Sequence, residues 1–154
     1  GLFDDSTETP DDYKKFLEQA CKKNLPMICT NPDLHVDFGN KRVFCAGAIA
    51  SAYQKNGGKV YWFGKPYSSI YEFTDKSLIK KNLQVTKSKI LCVGDGLRTD
   101  IKGANDYGFD SLFIAHGLEK QYLIGEDGKL DALKLDKFLK QKTEKPNFVI
   151  DYLR

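Results

Sequence analysis

Five short apolar runs separated by helical stretches constrain the fold of this chain more than any other feature. Near-continuous apolar strands of four to six residues, separated by amphipathic or glycine-stopped helices, imply parallel pairing with both sheet faces covered. The runs lie at 26–30, 59–63, 89–93, 110–115 and 147–150. Helices are expected over 10–23, 46–55, 67–82, 100–107 and 130–142. Thr9-Pro10-Asp11-Asp12 is a helix start, with a capping threonine, proline in the first turn and two acids at the positive end of the dipole. Phe16, Leu17 and Ala20 then recur at helical spacing, and Asn24 is the expected stop. The helix over 67–82 is expected to bend near Thr74, and Leu133, Leu135, Phe138 and Leu139 are expected to face inward from 130–142. One segment breaks the rhythm. Residues 34–44 read as a hairpin around Gly39-Asn40. A shorter hairpin is expected around Glu126-Asp127-Gly128.

Composition excludes several classes. The 154 residues are 41% hydrophobic and 29% charged with a net charge of +3, which suits a soluble globular protein of one domain or two small lobes. The lysines are scattered, so no basic footprint marks nucleic acid as a partner. No apolar run approaches the roughly 18 residues of a membrane span. Cys21, Cys29, Cys45 and Cys92 form no C-x-x-C pair and sit in apolar stretches, which predicts buried reduced thiols and a cytoplasmic location. His35 and His116 lack a second ligand at metal spacing and are read as bystanders.

Two constellations carry chemistry. In the run from Ile90 to Ile101, a strand delivers Asp95 to its tip between Gly94 and Gly96, and Asp100 follows at the next helix start. Two carboxylates converging at a strand end suit a hard cation bound through oxygen, and Mg²⁺ prefers such a setting with waters and phosphate as its remaining ligands. The plainer alternative makes Asp95 and Asp100 turn and cap residues. The second constellation is Gly64-Lys65-Pro66-Tyr67, where a lysine held between glycine and proline can place an ammonium beside a phosphoryl group or a carboxylate. A solvated loop lysine is its alternative. Ligands of α/β sheets bind beyond the carboxyl ends of strands, which favours the joint reading.

Gly-Lys-Pro followed about thirty residues later by Val-Gly-Asp-x-x-x-Thr-Asp-Ile resembles the third and fourth motifs of haloacid dehalogenase superfamily phosphatases. The likeness is closest to the class IIA capped group, which includes NagD-like and para-nitrophenyl phosphatase-like hydrolases. Thr30-Asn31-Pro32-Asp33, Ala46-Gly47-Ala48 and Gly103-Ala104 match further features in order. The resemblance implies an α/β fold: an incomplete Rossmann-like core with a parallel sheet at 59–154, plus most of an α/β class IIA cap at 1–58. It implies that Lys65 pairs with the nucleophilic aspartate and the phosphoryl group, that Asp95 holds Mg²⁺, and that Asp100 supports the metal site. Asn31 and Asp33 would lie on the cap near the leaving group of a small phosphorylated metabolite, and class IIA caps often meet in homodimers.

The superfamily's Asp-x-Asp nucleophile motif has no counterpart here, because no two aspartates stand two positions apart. The Ser or Thr of the second motif is also missing before residue 58. Both are expected upstream of residue 1. Met27 is the only methionine, which fits either a trimmed leader or a start inside a longer polypeptide. The expected function is therefore that of a phosphatase fragment, inactive alone, whose nucleophile an N-terminal half supplies. The alternative is a degenerate domain that retains a metal or phosphate site. A dinucleotide-binding module is disfavoured, since no G-x-G-x-x-G follows a strand.

Overall fold

Thr9 opens the first helical segment as expected: its amide donates to Asp12 Oδ2 at 2.7 Å, and a 3₁₀ turn at Pro10–Tyr13 leads into α1, Lys14–Lys22. A computed structural model describes residues 1–38, 41–81, 83 and 85–153; the tip of the first hairpin, Gly39-Asn40, and the end of the 67–82 helix, Asn82, lie outside the described residues. Of the three apolar residues of α1, only Leu17 is buried, and Phe16 points to solvent. Asn24 ends the helix in the left-handed region, at φ 51°, where asparagine is among the better-tolerated residues.

The first compact unit is Gly1–Gly64. In it, β1 (Met27–Cys29) pairs in parallel with β4 (Val60–Trp62), in the register Met27–Val60 to Cys29–Trp62. Between them come the antiparallel pair β2 (His35–Phe38) and β3 (Lys41–Phe44), then α2 (Ala46–Lys55). Gly47, Ala48, Ala50 and Tyr53 form the buried face of α2, and the Tyr53 hydroxyl donates to the Leu25 carbonyl at 2.5 Å. Gly57, at φ +87°, turns the chain out of α2. The compact unit extends to Gly64 because the 59–63 strand is hydrogen-bonded to β1.

The second unit, Lys65–Arg154, is built on the all-parallel sheet β5 (Leu91–Gly94), β6 (Asp110–Ile114) and β7 (Phe148–Ile150), with β6 in the middle. Its other elements are α3 (Ser68–Lys80), a π-helical turn at Leu97–Ile101 continuing into α4 (Lys102–Tyr107), α5 (Lys120–Leu123) and α6 (Ala132–Lys140). The helix α3 runs unbroken past Thr74, whose hydroxyl donates back to the Ile70 carbonyl at 3.0 Å. Asp131 caps α6 by accepting from the amides of Leu133 and Lys134. The segment before α6 closes on a single antiparallel bridge, Ile124–Leu130, around the expected turn.

Leu97, Ile101, Phe113, Ala115, Leu123 and Phe138 make one buried cluster, with Leu135, Leu139 and Val149 against it. Tyr71, Ala104 and Phe109 make a second. Leu133 does not join the first cluster and is 83% exposed. At 100° per residue it lies on the opposite side of α6 from Leu135, Phe138 and Leu139. Ser111, fully buried on β6, donates to Asn147 Oδ1 at 2.9 Å and accepts from the Asn147 amide at 3.2 Å.

The two faces of this sheet differ. Phe113 and Val149 pack inward, whereas Leu91, Val93, Phe148 and Ile150, which share the other face by register, are exposed. In the first unit the paired Ile28 and Tyr61 are likewise exposed. Apolar composition predicted strands covered on both faces, and these residues cover only one. The thiols differ similarly: all four cysteines are free, but only Cys29 is buried. Among the described residues no helix is long and apolar enough to cross a membrane.

Candidate active site

The turn after β5 is packed closely at its glycines. A Cβ built on Gly94 would run into the Asp100 carboxyl, and one on Gly96 into the Thr99 hydroxyl. The π-helical turn makes this approach possible: Ile101 donates to the Gly96 carbonyl at 3.1 Å, which widens the first turn and swings Asp100 back over the loop. Such single π turns recur at functional sites.

Asp100 is 92% withdrawn from solvent, at 8% exposure, and both of its oxygens are occupied. Oδ1 accepts from Lys65 Nζ at 2.5 Å and Oδ2 accepts from the Gly96 amide at 3.0 Å. Lys65 opens the second unit, immediately after Gly64 (φ +89°) and before a cis peptide bond to Pro66. Its side chain is about half exposed. The structure therefore brings Lys65 and Asp100 into one ion pair across thirty-five residues of sequence.

Asp95, at the tip of β5, is partly buried and points elsewhere. Its Oδ2 accepts from the Leu118 amide at 3.1 Å, and its side chain packs against Gly117, where a Cβ would overlap the carboxyl. Asp95 Oδ1 accepts no hydrogen bond among the described residues. Gly117 and Leu118 follow β6, so two neighbouring parallel strands place these groups on one sheet edge. The sequence reading missed this pair, although glycine just past the end of an apolar strand marks a close approach. It also set His116 aside, yet His116 Nδ1 lies 2.7 Å from Asp151 Oδ1.

The thiol and phenol nearest Asp100 are kept neutral. Burial, and then the Asp100 charge, push the Cys92 thiol up, so it is not a thiolate nucleophile at neutral pH. Tyr71 is pushed up to about 12 by burial first, then by Cys92, Asp100 and Asp106.

Asn31 and Asp33 belong to the first unit. There the Asp33 amide donates to Asn31 Oδ1 at 3.2 Å, forming an Asx turn after β1. Gly47, opening α2, donates to the Asp33 carbonyl at 3.1 Å, and a Cβ on it would collide with the Pro32 carbonyl. Gly64 presses on the same loop, its Cβ direction 3.0 Å from the Thr30 carbonyl oxygen. Burial, then the Asp33 and Asp5 charges, push the Cys45 thiol up.

Among the described residues no three His, Cys, Asp or Glu side chains cluster at metal-binding distance. One carboxylate oxygen without a partner among the described residues still fits an ion such as Mg²⁺. That ion takes one or two protein carboxylates and fills its shell with water and substrate phosphate.

Comparison with known proteins agrees with this geometry. The HAD-hydrolase-like family model matches residues 62–154, more than half of the chain. A haloacid dehalogenase-like family hydrolase from Brucella suis is 38% identical and superposes with a TM-score of 0.77, covering 100% of this chain and 54% of that one. A possible sugar phosphatase of the HAD superfamily from Cytophaga hutchinsonii is 23% identical, with a TM-score of 0.69 over 92% of this chain and 46% of that one. The p-nitrophenyl phosphatase from Archaeoglobus fulgidus is 20% identical, with a TM-score of 0.62 over 92% and 49%. These last two likenesses show the fold alone. The cardiolipin synthase (CMP-forming) / mitochondrial hydrolase fusion protein of Schizosaccharomyces pombe is 37% identical over 60 residues, 36% of this chain and 10% of that protein. The chain thus spans about half the length of the solved relatives it matches and a tenth of the curated one. With the motif order, the α/β topology and the family match in agreement, the chain belongs to the haloacid dehalogenase-like hydrolases and shares its fold with the p-nitrophenyl phosphatase from Archaeoglobus fulgidus.

Proposed function

We propose that these residues form the charge-positioning half of a Mg²⁺-dependent phosphomonoester hydrolase acting on a small phosphorylated metabolite. The observation that carries this reading is the Lys65–Asp100 pair on the same sheet edge as the partly open Asp95 carboxylate. Asp100, with both oxygens engaged, is a positioning residue that fixes the Lys65 ammonium. The Lys65 ammonium offsets the charge of the anionic phosphoryl group. Asp95 would hold Mg²⁺ through Oδ1, and the ion would supply further neutralisation of phosphoryl oxygens. In phosphoryl transfer such positioning and charge neutralisation make up most of the catalysis.

Attack on phosphorus needs a nucleophile, and the reading assigns it to an Asp-x-Asp segment outside these 154 residues. β5 stands at the edge of its sheet with Leu91 and Val93 exposed, an arrangement that favours pairing with another strand. The first unit is proposed as most of the cap, with Asn31 and Asp33 as determinants of the leaving group accepted. Four free cysteines suit a reducing compartment such as the cytoplasm.

The test is p-nitrophenyl phosphate hydrolysis with Mg²⁺, first by the chain alone and then by its mixture with a segment carrying Asp-x-Asp. Activity is expected only in the mixture, and Lys65→Ala or Asp95→Ala should abolish it. Turnover by the chain alone would overturn the assignment of the nucleophile. Silence from a folded mixture would favour a non-catalytic domain.

A further inference from the structure

The parallel pairing of β6 and β7 continues past the strand ends. Ala115 donates to the Ile150 carbonyl and His116 to the Asp151 carbonyl, each at 2.9 Å. The chain turns at 115–116 and bends at 151, and there, one step off the Ile114–Ile150 register, the side chains of residues 116 and 151 meet: Asp151 Oδ1 lies 2.7 Å from His116 Nδ1, and the Tyr152 ring stands edge-on to the imidazole at 5.6 Å. Both side chains of the pair are 30% exposed, so the bond is sheltered from full competition with water. The next two residues are the ones that touch Asp95. Gly117 packs against its carboxyl, and the Leu118 amide donates to Oδ2 at 3.1 Å. Residues 116–118 are therefore tied at one end to Asp151 and at the other to Asp95.

We infer that His116 and Asp151 are a positioning pair for Asp95, holding the Gly117–Leu118 backbone so that the carboxylate keeps one orientation with Oδ1 open. An aspartate that accepts from an imidazole N–H fixes the ring and, through it, the backbone that carries the ring. Outer partners of this kind typically change metal affinity about 10–100-fold. The consequence for metal binding rests on the proposed role of Asp95. The mechanical coupling to Leu118 does not.

Two readouts test the pair on the full chain. The first is amide hydrogen exchange at Leu118, with Phe113 in the middle strand as the reference. Asp151→Ala and His116→Ala should each speed exchange at Leu118 about 5- to 10-fold while leaving Phe113 unchanged. Asp151→Asn, whose amide oxygen can still accept from Nδ1–H, should restore protection. Unchanged exchange at Leu118, or equal acceleration at Leu118 and Phe113, would overturn the inference, the latter by showing a merely structural contact. The second readout is Mn²⁺ binding by calorimetry, expected to weaken about tenfold in Asp151→Ala and to recover in Asp151→Asn. Should the unaltered chain and Asp95→Ala bind Mn²⁺ equally, the metal role of Asp95 falls, and exchange at Leu118 still decides the positioning pair.

Discussion

Two loops in this chain end parallel strands, residues 30–33 after β1 and residues 94–96 after β5, and they are alike in construction up to the last contact. In each, a glycine from another element presses against the loop: Gly47 of α2 on the first, Gly117 beyond β6 on the second. The first glycine meets backbone carbonyls, and the loop closes on itself through the Asn31 side chain. The second meets a carboxylate side chain, and the turn leaves one carboxylate oxygen open beside an anchored ion pair. The same close approach therefore sets shape in one unit and aims charge in the other.

The sharpest way to break this contrast is at Asp100. Asp100→Ala removes the acceptor of both Lys65 and the Gly96 amide. The p-nitrophenyl phosphate hydrolysis proposed for the mixture should fall about 10²–10³-fold, comparable to removing one preorganised electrostatic group. Thermal unfolding should show a loss of about 2 kcal/mol, mainly from the unpaired buried amide. The ion pair adds little to that loss, because Lys65 is half exposed.

The second unit should also show a pH dependence of its own. Tyr71 is pushed up to about 12 by burial. Below pH 10 the folded and unfolded chains both keep its proton. Between pH 10 and about 12 only the unfolded chain releases it, so stability falls as pH rises through that window. Tyr71 alone should contribute about 2–3 kcal/mol of that fall. Urea titrations across the window should show this part of the loss absent in Tyr71→Phe.

Smaller effects separate the two glycines. Gly47→Ala should destabilise the chain by about 1–2 kcal/mol, since backbone must shift to admit the methyl group. Gly117→Ala should destabilise by a similar amount, because the methyl would overlap Asp95 Cβ, which moves only with its backbone, but unlike Gly47→Ala it should also weaken Mn²⁺ binding about tenfold by displacing Asp95. Equal effects of the two on both readouts would erase the comparison. The smallest change is expected at Leu133, where Leu133→Ser should stay within about 0.5 kcal/mol of the parent in thermal unfolding.

Much of this was readable along the chain, for local reasons. Apolar runs stopped by Gly94, Gly57 and Gly108 located strands and helix ends, because backbone sterics act over a few residues. Asp95 at a strand tip and Asp100 at a helix start followed from the same spacing. Errors arose where a three-dimensional neighbour decided. Phe16 and Leu133 obey helical spacing yet face solvent, since periodicity defines a face without saying whether anything covers it. The 59–63 strand joined the first unit because its hydrogen-bond partner lies thirty-three residues earlier, at Met27–Val60. His116 looked idle because Asp151 lies thirty-five residues away in the chain and meets it only where the segments after β6 and β7 turn beside each other.

By itself, then, the order of residues determined the α/β alternation, the two strand-end loops and the identity of the charged groups on them, all consequences of short-range geometry and hydrophobic pattern. Only the tertiary structure decided that Asp100 spends both oxygens on Lys65 and Gly96 while Asp95 keeps one open, and that a single face of the sheet is covered. Those outcomes depend on how strands separated by whole helices come to lie side by side, and the hydrogen bonds and buried contacts that settle them form between residues tens of positions apart.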